Sequence, residues 1–259
     1  MKLKKYIKTA VLSLTTSALI FSLTACSAEN KSDSLFSDIN LSEYNCVDIS
    51  HTVTDDMPAD PALKLPEIDY FSEIGNQNAL YNLETISYCP HTGTHMDAPH
   101  HVLEDGGTVE SVDPTVLIGP ACIIRLDVDG DYEITADDVK NWENEHSEIN
   151  SGEAVLFDTN HDKLWESDKE EYITNYPHLT EDCANYLVEK SVRFVGCEAI
   201  SPDTNEPVCH KILLSGGVEI VENICNLDKV EADRCYVIST FSAVQGSTGV
   251  WTRLLAYYK

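Results

Sequence analysis

The chain has 259 residues, of which 42% are hydrophobic and 24% charged, and its formal net charge at pH 7 is −27. Acidic residues outnumber basic residues by 44 to 17, so the sequence offers no basic surface that could neutralise the phosphates of nucleic acid or of anionic lipid headgroups. We therefore expect no nucleic-acid partner.

The first residues have the features of a bacterial secretory signal. Four lysines within the first eight positions precede an apolar run at residues 9–25, which is too short to favour a membrane-spanning helix. The run ends in "LTAC" at residues 23–26, which resembles a lipobox, the motif whose cysteine, here Cys26, is acylated. A plain signal peptide followed by a chance cysteine is the alternative.

These features predict three segments. Residues 1–25 form a lipoprotein signal peptide, residues 26–40 a polar tether, and residues 41–259 one domain of a size that supports a single core. The mature protein is expected to be extracytoplasmic and to contact the bacterial cell membrane only through its lipid anchor. The eight cysteines after Cys26 lack disulfide-scaffold spacing, which favours buried free thiols.

The secondary structure pattern combines strands with fewer helices. Thr135 and Thr180 can each cap a helix with acidic residues in its first turn, and a short helix is predicted from about Cys209 to the Gly216-Gly217 pair. Helices and strands alternate only in the C-terminal half, which predicts a mixed α/β fold and not a regular doubly wound one. Runs rich in β-branched residues predict strands that begin near Cys46, Leu83, Cys122, Ala154, Val192 and Cys235.

The stretch "CPHTGTHMDAPHH" at residues 89–101 concentrates the histidines of the chain. If residues 91–97 are extended, His91, His95 and Asp97 share one face of the strand. Gly93 on the same face would make room between the two imidazoles. A helix could also align the two histidines at i, i+4, but a glycine and two threonines favour the extended form.

Two imidazoles and a carboxylate that converge on one point need a cation, because each would otherwise lose its hydration without gaining a partner. This ligand set suits zinc or manganese. A solvated histidine-rich loop, or histidines bonded to backbone carbonyls, is the alternative, and the joint spacing favours the metal. His100 and His101 follow Pro99 in a turn, where one of them could lie near the metal without binding it.

A second candidate region lies far downstream, in "VEIVEN". Its alternating pattern places Glu222 on the same strand face as the aliphatic residues Val218 and Ile220, where a carboxylate needs a positive charge or takes up a proton. An edge strand with Glu222 at its exposed end is the alternative. His210 lies twelve residues before Glu222.

Residues 91–101 resemble the H-x-G-T-H-x-D-x-P-x-H signature of the metal-dependent cyclase family, the enzymes similar to bacterial kynurenine formamidase and isatin hydrolase. "VDIS" at Val47, "VGCEAIS" at Val195, His210 and "VEN" at Val221 follow in the family's order. The resemblance implies a swivelling β/β/α domain with a substantial sheet and flanking helices. It also implies assembly into a homodimer or homotetramer.

Carried over residue by residue, the resemblance implies two divalent ions per subunit, zinc or manganese. Asp97 would bridge the two ions, Glu222 could touch both, and His101 matches the proton donor and acceptor of the family. The implied ligands of the first ion are His91, His95 and Asp97, and those that complete the second are His210 and Glu222.

The implied activity is metal-dependent hydrolysis of a carbon–nitrogen bond other than a peptide bond, or of an ester, in a small cyclic or N-acyl compound. A metal-activated water would attack the carbonyl, and His101 would deliver a proton to the leaving group. The alternative is a lipoprotein that binds a metal or a solute without catalysis. His101 favours the hydrolase, because metal capture alone needs no proton shuttle.

The sequence also departs from the family pattern. Kynurenine formamidases typically have a tryptophan in a segment such as P-V-W-P-G-D, whereas "DDMPADPALKLP" from Asp55 is followed by no aromatic residue until Tyr70. Glu198 stands where an aspartate is common, and "GSTGVWTR" from Gly246 replaces a run with proline before the arginine. We therefore expect an intact metal set in a different substrate pocket.

Overall fold

A nine-stranded mixed sheet forms the centre of the fold. The structure is a computed structural model that describes residues 40–76 and 78–259. The predicted signal peptide, Cys26 and the tether up to residue 39 lie outside the described residues. Within the described ranges, each helix is too short or too polar to cross a membrane.

Thirteen strands are present in the described part of the chain, and they form the large sheet and two small two-stranded sheets. In chain order they are β1 Asn45–Asp48, β2 Glu67–Ser72, β3 Leu83–Ser87, β4 His95–Asp97, β5 Gly119–Arg125, β6 Glu133–Ile134, β7 Ala154–Asp158, β8 His178–Leu179, β9 Phe194–Cys197, β10 Glu219–Glu222, β11 Arg234–Ile238, β12 Gly249–Trp251 and β13 Leu255–Tyr258.

The large sheet has the order β1-β13-β11-β5-β7-β9-β10-β4-β12. Its central strands β5, β7, β9 and β10 are parallel, and antiparallel pairs flank them on both sides. Parallel strands need crossover connections, and helices supply these in the C-terminal half. The predicted mixed α/β fold with a substantial sheet is confirmed.

Both faces of the sheet are buried along its central strands β5, β7, β9 and β10. Along β5, Ala121 and Ile123 point into one apolar core, whereas Cys122 and Ile124 point into the other. This alternation follows from the two-residue repeat of a strand, and its apolar residues on both faces are typical of a central strand in an α/β sheet.

Three of the helices cover the face of Cys122 and Ile124, and the other two pack in a separate cluster around Trp165 and Tyr172. Thr135 caps the first helix through a reciprocal capping box with Asp138, and Thr180 caps another by accepting from the Cys183 N–H, so both predicted caps are confirmed. The helices are α1 Ala136–Glu145, α2 Leu164–Ser167, α3 Lys169–Thr174, α4 Glu181–Glu189 and α5 Val208–Ser215.

Strands β2 and β3 form a separate hairpin that does not join the large sheet. Both strands are exposed along nearly their whole length. The exposed large apolar residues of the hairpin and its connecting loop are Ile68, Tyr70, Phe71, Ile74, Leu80, Tyr81, Leu83 and Ile86.

The eight cysteines of the described residues are free. Six of them are buried, Cys89 is partly buried and Cys46 is exposed, in agreement with the prediction of free and mostly buried thiols.

Candidate metal centre

Two antiparallel strands bring the central residues of the site together. Strand β10 pairs with β4 so that Glu222 lies opposite His95 and Ile220 opposite Asp97. His95 and Asp97 point to one face of the sheet, and Met96 between them packs into the core on the other face. Glu222 is buried on an interior strand, so the alternative of an exposed edge position is wrong.

The prediction of an extended segment over residues 91–97 is only partly correct. The strand covers His95–Asp97, and the residues before it form a turn. Gly93 adopts a left-handed conformation with φ of 63°, which other residues rarely adopt, and this turns its carbonyl back toward the His95 ring. His91 therefore reaches the site from a turn and not from the strand face.

The His91 ring is held on both sides. Its Nδ1 lies 2.8 Å from Asp97 Oδ1, and its Nε2 lies 2.8 Å from the Thr248 hydroxyl. Gly249 packs against the ring so closely that a Cβ at this position would lie 2.6 Å from His91 Cε1. The loop before β12 therefore fixes the orientation of His91, although it lies more than 150 residues away in sequence.

His210 enters the site from the first turn of α5, which begins at Val208, slightly earlier than predicted. Asp203 Oδ2 accepts hydrogen bonds from the His210 backbone N–H at 3.0 Å and from its Nδ1 at 2.7 Å. A carboxylate that binds one ring nitrogen of a histidine orients the other nitrogen toward a metal. Here the other nitrogen, Nε2, faces Asp97 and Glu222.

Asp97 and Glu222 each have one oxygen near His95 and the other near His210. On one side, His95 Nε2 lies 3.3 Å from both Asp97 Oδ1 and Glu222 Oε2. On the other side, His210 Nε2 lies 3.3 Å from Asp97 Oδ2 and 3.2 Å from Glu222 Oε1. Donors bound to one ion at about 2.0–2.2 Å are expected roughly 3 Å from one another, and each of these four nitrogen–oxygen distances is close to that spacing.

Asp97 and Glu222 are buried carboxyl groups, and each shifts the pKa of its neighbours. Burial raises the pKa of Glu222, and the neighbouring charge of Asp97 raises it further. Burial also acts to raise the pKa of Asp97, but His95 and hydrogen bonds from the histidines lower it well below its usual range. No lysine or arginine among the described residues pairs with either carboxylate, so histidines are the only cationic partners.

The two carboxylates also shift the pKa values of the histidines beside them. Burial acts to lower the pKa of His95, but Asp97 and Glu222 outweigh it and raise this pKa to about 9. For His210, burial is outweighed by hydrogen bonds to Asp203, Asp97 and Glu222, and the pKa rises to about 12. Both shifts indicate that the carboxylates attract a cation to the positions that these ring nitrogens face.

Two buried atoms of the site lack a hydrogen-bond partner, His95 Nε2 and Asp97 Oδ2. Leaving such atoms unpaired is costly, so they indicate that another group binds between them. Together with nitrogen and carboxylate donors at ligand spacing, they fit a divalent ion such as zinc or manganese. Two groups of residues could hold an ion: His95, Asp97 and Glu222, and His91, Asp97 and His101.

His101 lies at the mouth of the site. Its ring stacks on His91 with a centroid distance of 3.9 Å and lies 5.5 Å from the ring of His210. The residue as a whole is exposed, but the packing of its ring is sufficient for burial to lower the pKa of His101 to about 4. His100 is exposed on the adjacent turn and does not line the cavity.

The ligand residues open into a cavity of about 350 Å³. Its walls include Pro58, Leu63, Tyr176 and Ile200, and no tryptophan, lysine or arginine of the described residues lines it. Met57, in the early segment without aromatic residues, is buried beside Trp165 and Tyr172 and not in the cavity. The cavity is small, as expected for a small-molecule site.

Three supporting residues were not predicted from the sequence. Asp203 could have been found as a carboxylate seven residues before a candidate ligand, at the start of a helix. Thr248 gave no signal, because nothing in its local sequence relates it to His91. Asn223 belongs to the "VEN" motif, but its partners in the turn of Gly93 are visible only in the structure.

Comparison with known proteins agrees with this geometry. The model of the Cyclase family matches residues 47–204. Isatin hydrolase from Roseibium aggregatum is 30% identical over 223 residues, which cover 77% of this chain and 84% of that protein. Kynurenine formamidase from Bacillus mycoides is 31% identical over 193 residues, which cover 72% of this chain and 85% of that protein.

A solved structure agrees as well. The crystal structure of an isatin hydrolase bound to the product analogue thioisatinate has a TM-score of 0.78 and 27% identity, with 89% of this chain and 98% of that chain covered. The predicted family and the predicted hydrolase class are thereby confirmed. The chain belongs to the Cyclase family of metal-dependent hydrolases.

Proposed function

We propose that this protein hydrolyses a carbon–nitrogen bond of a small cyclic or N-acyl amide, or a related ester, at a centre of two divalent ions. The observation that supports it most directly is the division of the Asp97 and Glu222 oxygens between His95 and His210. An arrangement of two facing ligand sets that share two carboxylates suits a pair of ions better than a single one.

The residues that would hold the ions are those predicted from the sequence. His91 and His95 face Oδ1 of Asp97, and His210 faces Oδ2, so Asp97 would bridge the pair. Zinc or manganese bound here would supply Lewis acidity toward the substrate carbonyl and an acidified water. Asp203 and Thr248 hold the rings of His210 and His91 in orientation before substrate binds.

His101 is the residue that we propose moves the proton. Its lowered pKa makes the imidazole neutral at pH 7, so a ring nitrogen can accept a proton from the attacking water. The same nitrogen can then donate this proton to the leaving nitrogen or oxygen of the substrate. We propose that His101 lies beside the ions as the proton shuttle; in support, its ring stacks on His91 and lines the cavity.

The substrate is proposed to be compact. The wall contributed by residues 58–63 contains no aromatic residue and is formed by Pro58, Ala59, Asp60, Ala62 and Leu63. Isatin, N-formylkynurenine and simple aryl formamides form a suitable first panel of test substrates. The first two are chosen because the relatives are named isatin hydrolase and kynurenine formamidase.

Metal content and hydrolysis together test the proposal. The domain from about Ser27, with the variants His95→Ala and Glu222→Ala, is loaded with zinc or manganese, analysed for metal, and assayed with the panel. About two ions per wild-type chain, lost in both variants together with hydrolysis, would support the proposal. A wild type that binds no metal under these conditions would refute it, and stable binding of metal without turnover of any compound would favour a binding lipoprotein.

We also propose that the mature protein is extracytoplasmic and is anchored to the bacterial cell membrane by a lipid on Cys26. The support is the basic and apolar leader that ends in "LTAC". Fractionation of cells that express Cys26→Ser is the test, since the wild type should sediment with membranes and the variant should not. Equal membrane association of both would exclude the anchor.

We further propose that the domain forms a homodimer or homotetramer through the hairpin of β2 and β3. Its eight exposed apolar side chains each present on the order of 100 Å², which approaches the roughly 800 Å² that one partner contributes to a stable interface. A hairpin of two strands is marginally stable alone, so this surface needs a partner that is always present. A second copy of the chain meets that requirement.

A further inference from the structure

Behind the metal centre, two hydrogen bonds converge on one backbone carbonyl. The oxygen of Gly93 accepts from His95 Nδ1 at 2.8 Å and from Asn223 Nδ2 at 3.1 Å. A neutral imidazole that donates from Nδ1 has a bare Nε2, which is the form that can bind a metal. The Gly93 carbonyl therefore selects the ligating form of His95.

Asn223 controls the position of this carbonyl from the residue next to Glu222. Asn223 is 3% exposed, and its φ of 56° lies in the left-handed region, which asparagine tolerates better than most residues. Its own carbonyl accepts from the Thr94 hydroxyl at 2.5 Å. Asn223 is thus joined to two successive residues of the turn that precedes His95.

The Asn223 amide has only one orientation that satisfies its neighbours. The Gly93 carbonyl can only accept, so the amide must turn its NH₂ group toward it. The amide oxygen then faces the hydroxyl of Tyr172 at 2.9 Å. Tyr172 is fully buried, and its hydroxyl also lies 2.5 Å from the backbone oxygen of Glu198, so its single proton faces two acceptors.

We infer that Asn223 is a positioning residue of the metal centre. It orients the Gly93 carbonyl, and this carbonyl holds His95 with Nε2 directed at Asp97 and Glu222. The inference rests on the proposed metal-binding function. Asn223 acts through His95, and its role requires no contact with the reacting atoms.

Two substitutions separate the side chain from the backbone. Asn223→Asp keeps the size and the acceptor toward Tyr172 but places a carboxylate oxygen against the Gly93 oxygen. Asn223→Gly keeps the left-handed backbone and removes the side chain. We expect the affinity for Zn²⁺, measured by competition with a chromophoric chelator, to fall about 10–100-fold in both variants.

Cobalt provides a second readout that does not depend on activity. Co²⁺ replaces Zn²⁺ in such ligand sets, and its visible spectrum depends on the ligands and their geometry. Release of His95 in Asn223→Asp should therefore shift the spectrum of the Co²⁺-loaded protein. A residue that only stabilised the fold would leave the spectrum of the folded protein unchanged.

Asn226→Gly is the matched control. Asn226 also has a left-handed backbone, with φ of 59°, and its Nδ2 donates to the Asp48 carbonyl at 2.8 Å, but it contacts no proposed ligand. We expect Asn226→Gly to lower the free energy of unfolding of the metal-free protein in urea about as much as Asn223→Gly does, and to leave Zn²⁺ affinity unchanged.

The inference is overturned if both Asn223 variants bind Zn²⁺ like the wild type with an unchanged Co²⁺ spectrum. It is also overturned if Asn226→Gly loses the same affinity, because the effect would then be one of general stability. A wild type that binds neither metal would overturn the proposed function itself, and this inference with it, so the two failures are distinguishable.

Discussion

At the scale of single residues, His101 differs from the other histidines of the centre because its ring makes no hydrogen bond within the described part of the chain, whereas the rings of His91, His95 and His210 each do. We expect His101→Asn to retain about the wild-type metal content and to lower kcat by about 10²–10⁴-fold, the usual contribution of a positioned acid–base group. His100→Asn, at the exposed neighbouring position, is the control. A kcat that falls equally in the two variants would exclude His101 as the proton shuttle.

Glu219 is a buried carboxyl outside the ligand set, with 9% of its surface exposed and no partner for Oε2. Burial raises the pKa of Glu219 to about 7. The folded state therefore holds this proton up to a higher pH than the unfolded state, so stability falls as the pH rises from about 4.5 to 7 and is then constant. Below about pH 4.5 the Glu219 carboxyl is protonated in both the folded and the unfolded state, so burying it does not require the removal of a proton or of a charge from water.

We accordingly expect Glu219→Gln to stabilise the protein by about 2–3 kcal/mol at pH 8 and to have little effect near pH 4.5. Urea denaturation of the metal-free protein at both pH values measures this difference. Glu231→Gln, at an exposed position, should change stability little at either pH. A Glu219→Gln variant that is no more stable than the wild type at pH 8 would contradict the assignment.

At the scale of elements, the hairpin of β2 and β3 provides the clearest test of assembly. Ile68 and Ile86 are opposite one another on one face, and Asp69 and Thr85 form the adjacent pair on the other. Ile68→Thr with Ile86→Thr keeps β-branched residues but removes the apolar surface. We expect light scattering after gel filtration to show a homodimer or homotetramer for the wild type and a monomer for this variant.

The control for the hairpin is Asp69→Asn with Thr85→Ser, which changes the pair on the opposite face and should leave the oligomer intact. A wild type that is monomeric at micromolar concentration would contradict the proposed assembly. Dissociation of the control variant as well would show that the hairpin acts through its folding and not through its apolar face.

Elements whose ends are determined by neighbouring residues could be predicted from the sequence. The caps at Thr135 and Thr180 were predicted because a hydroxyl followed by acidic residues satisfies the first turn of a helix within a few residues. The short helices α2 and α3 were missed, because they have few apolar residues and no clear period. The hairpin strand β2 was missed because its acidic residues weaken its strand signal.

In the candidate site, too, features set by neighbouring residues could be predicted, and features set by distant parts of the chain could not. The spacing of His95 and Asp97 on one strand face followed from the two-residue repeat, and the structure agrees. The turn at Gly93 could not be derived in this way, because its conformation depends on hydrogen bonds from Asn223, far along the chain. The register of β10 against β4, which sets Glu222 opposite His95, is likewise a property of the assembled sheet.

At the scale of the whole molecule, the metal centre joins parts of the chain that are far apart in sequence. The turn and strand at residues 91–97 meet the start of α5, the end of β10 and the loop before β12. The net charge of −27 adds to the repulsion that the compact state must overcome. The proposed ions would bind at a position that exists only when all four of these segments have assembled.

We expect bound metal to stabilise the whole domain for this reason. An ion that binds only the folded state adds about 2.7 kcal/mol at a free concentration of 100 times its Kd, which raises Tm by about 5–10 °C for a domain of this size. Calorimetry with zinc or manganese, and after chelation, measures the shift. Asp97→Asn with Glu222→Gln should abolish this shift, because the two carboxylates that would hold the ions are removed. A wild-type Tm that is the same with metal and with chelator would show that these carboxylates do not hold an ion.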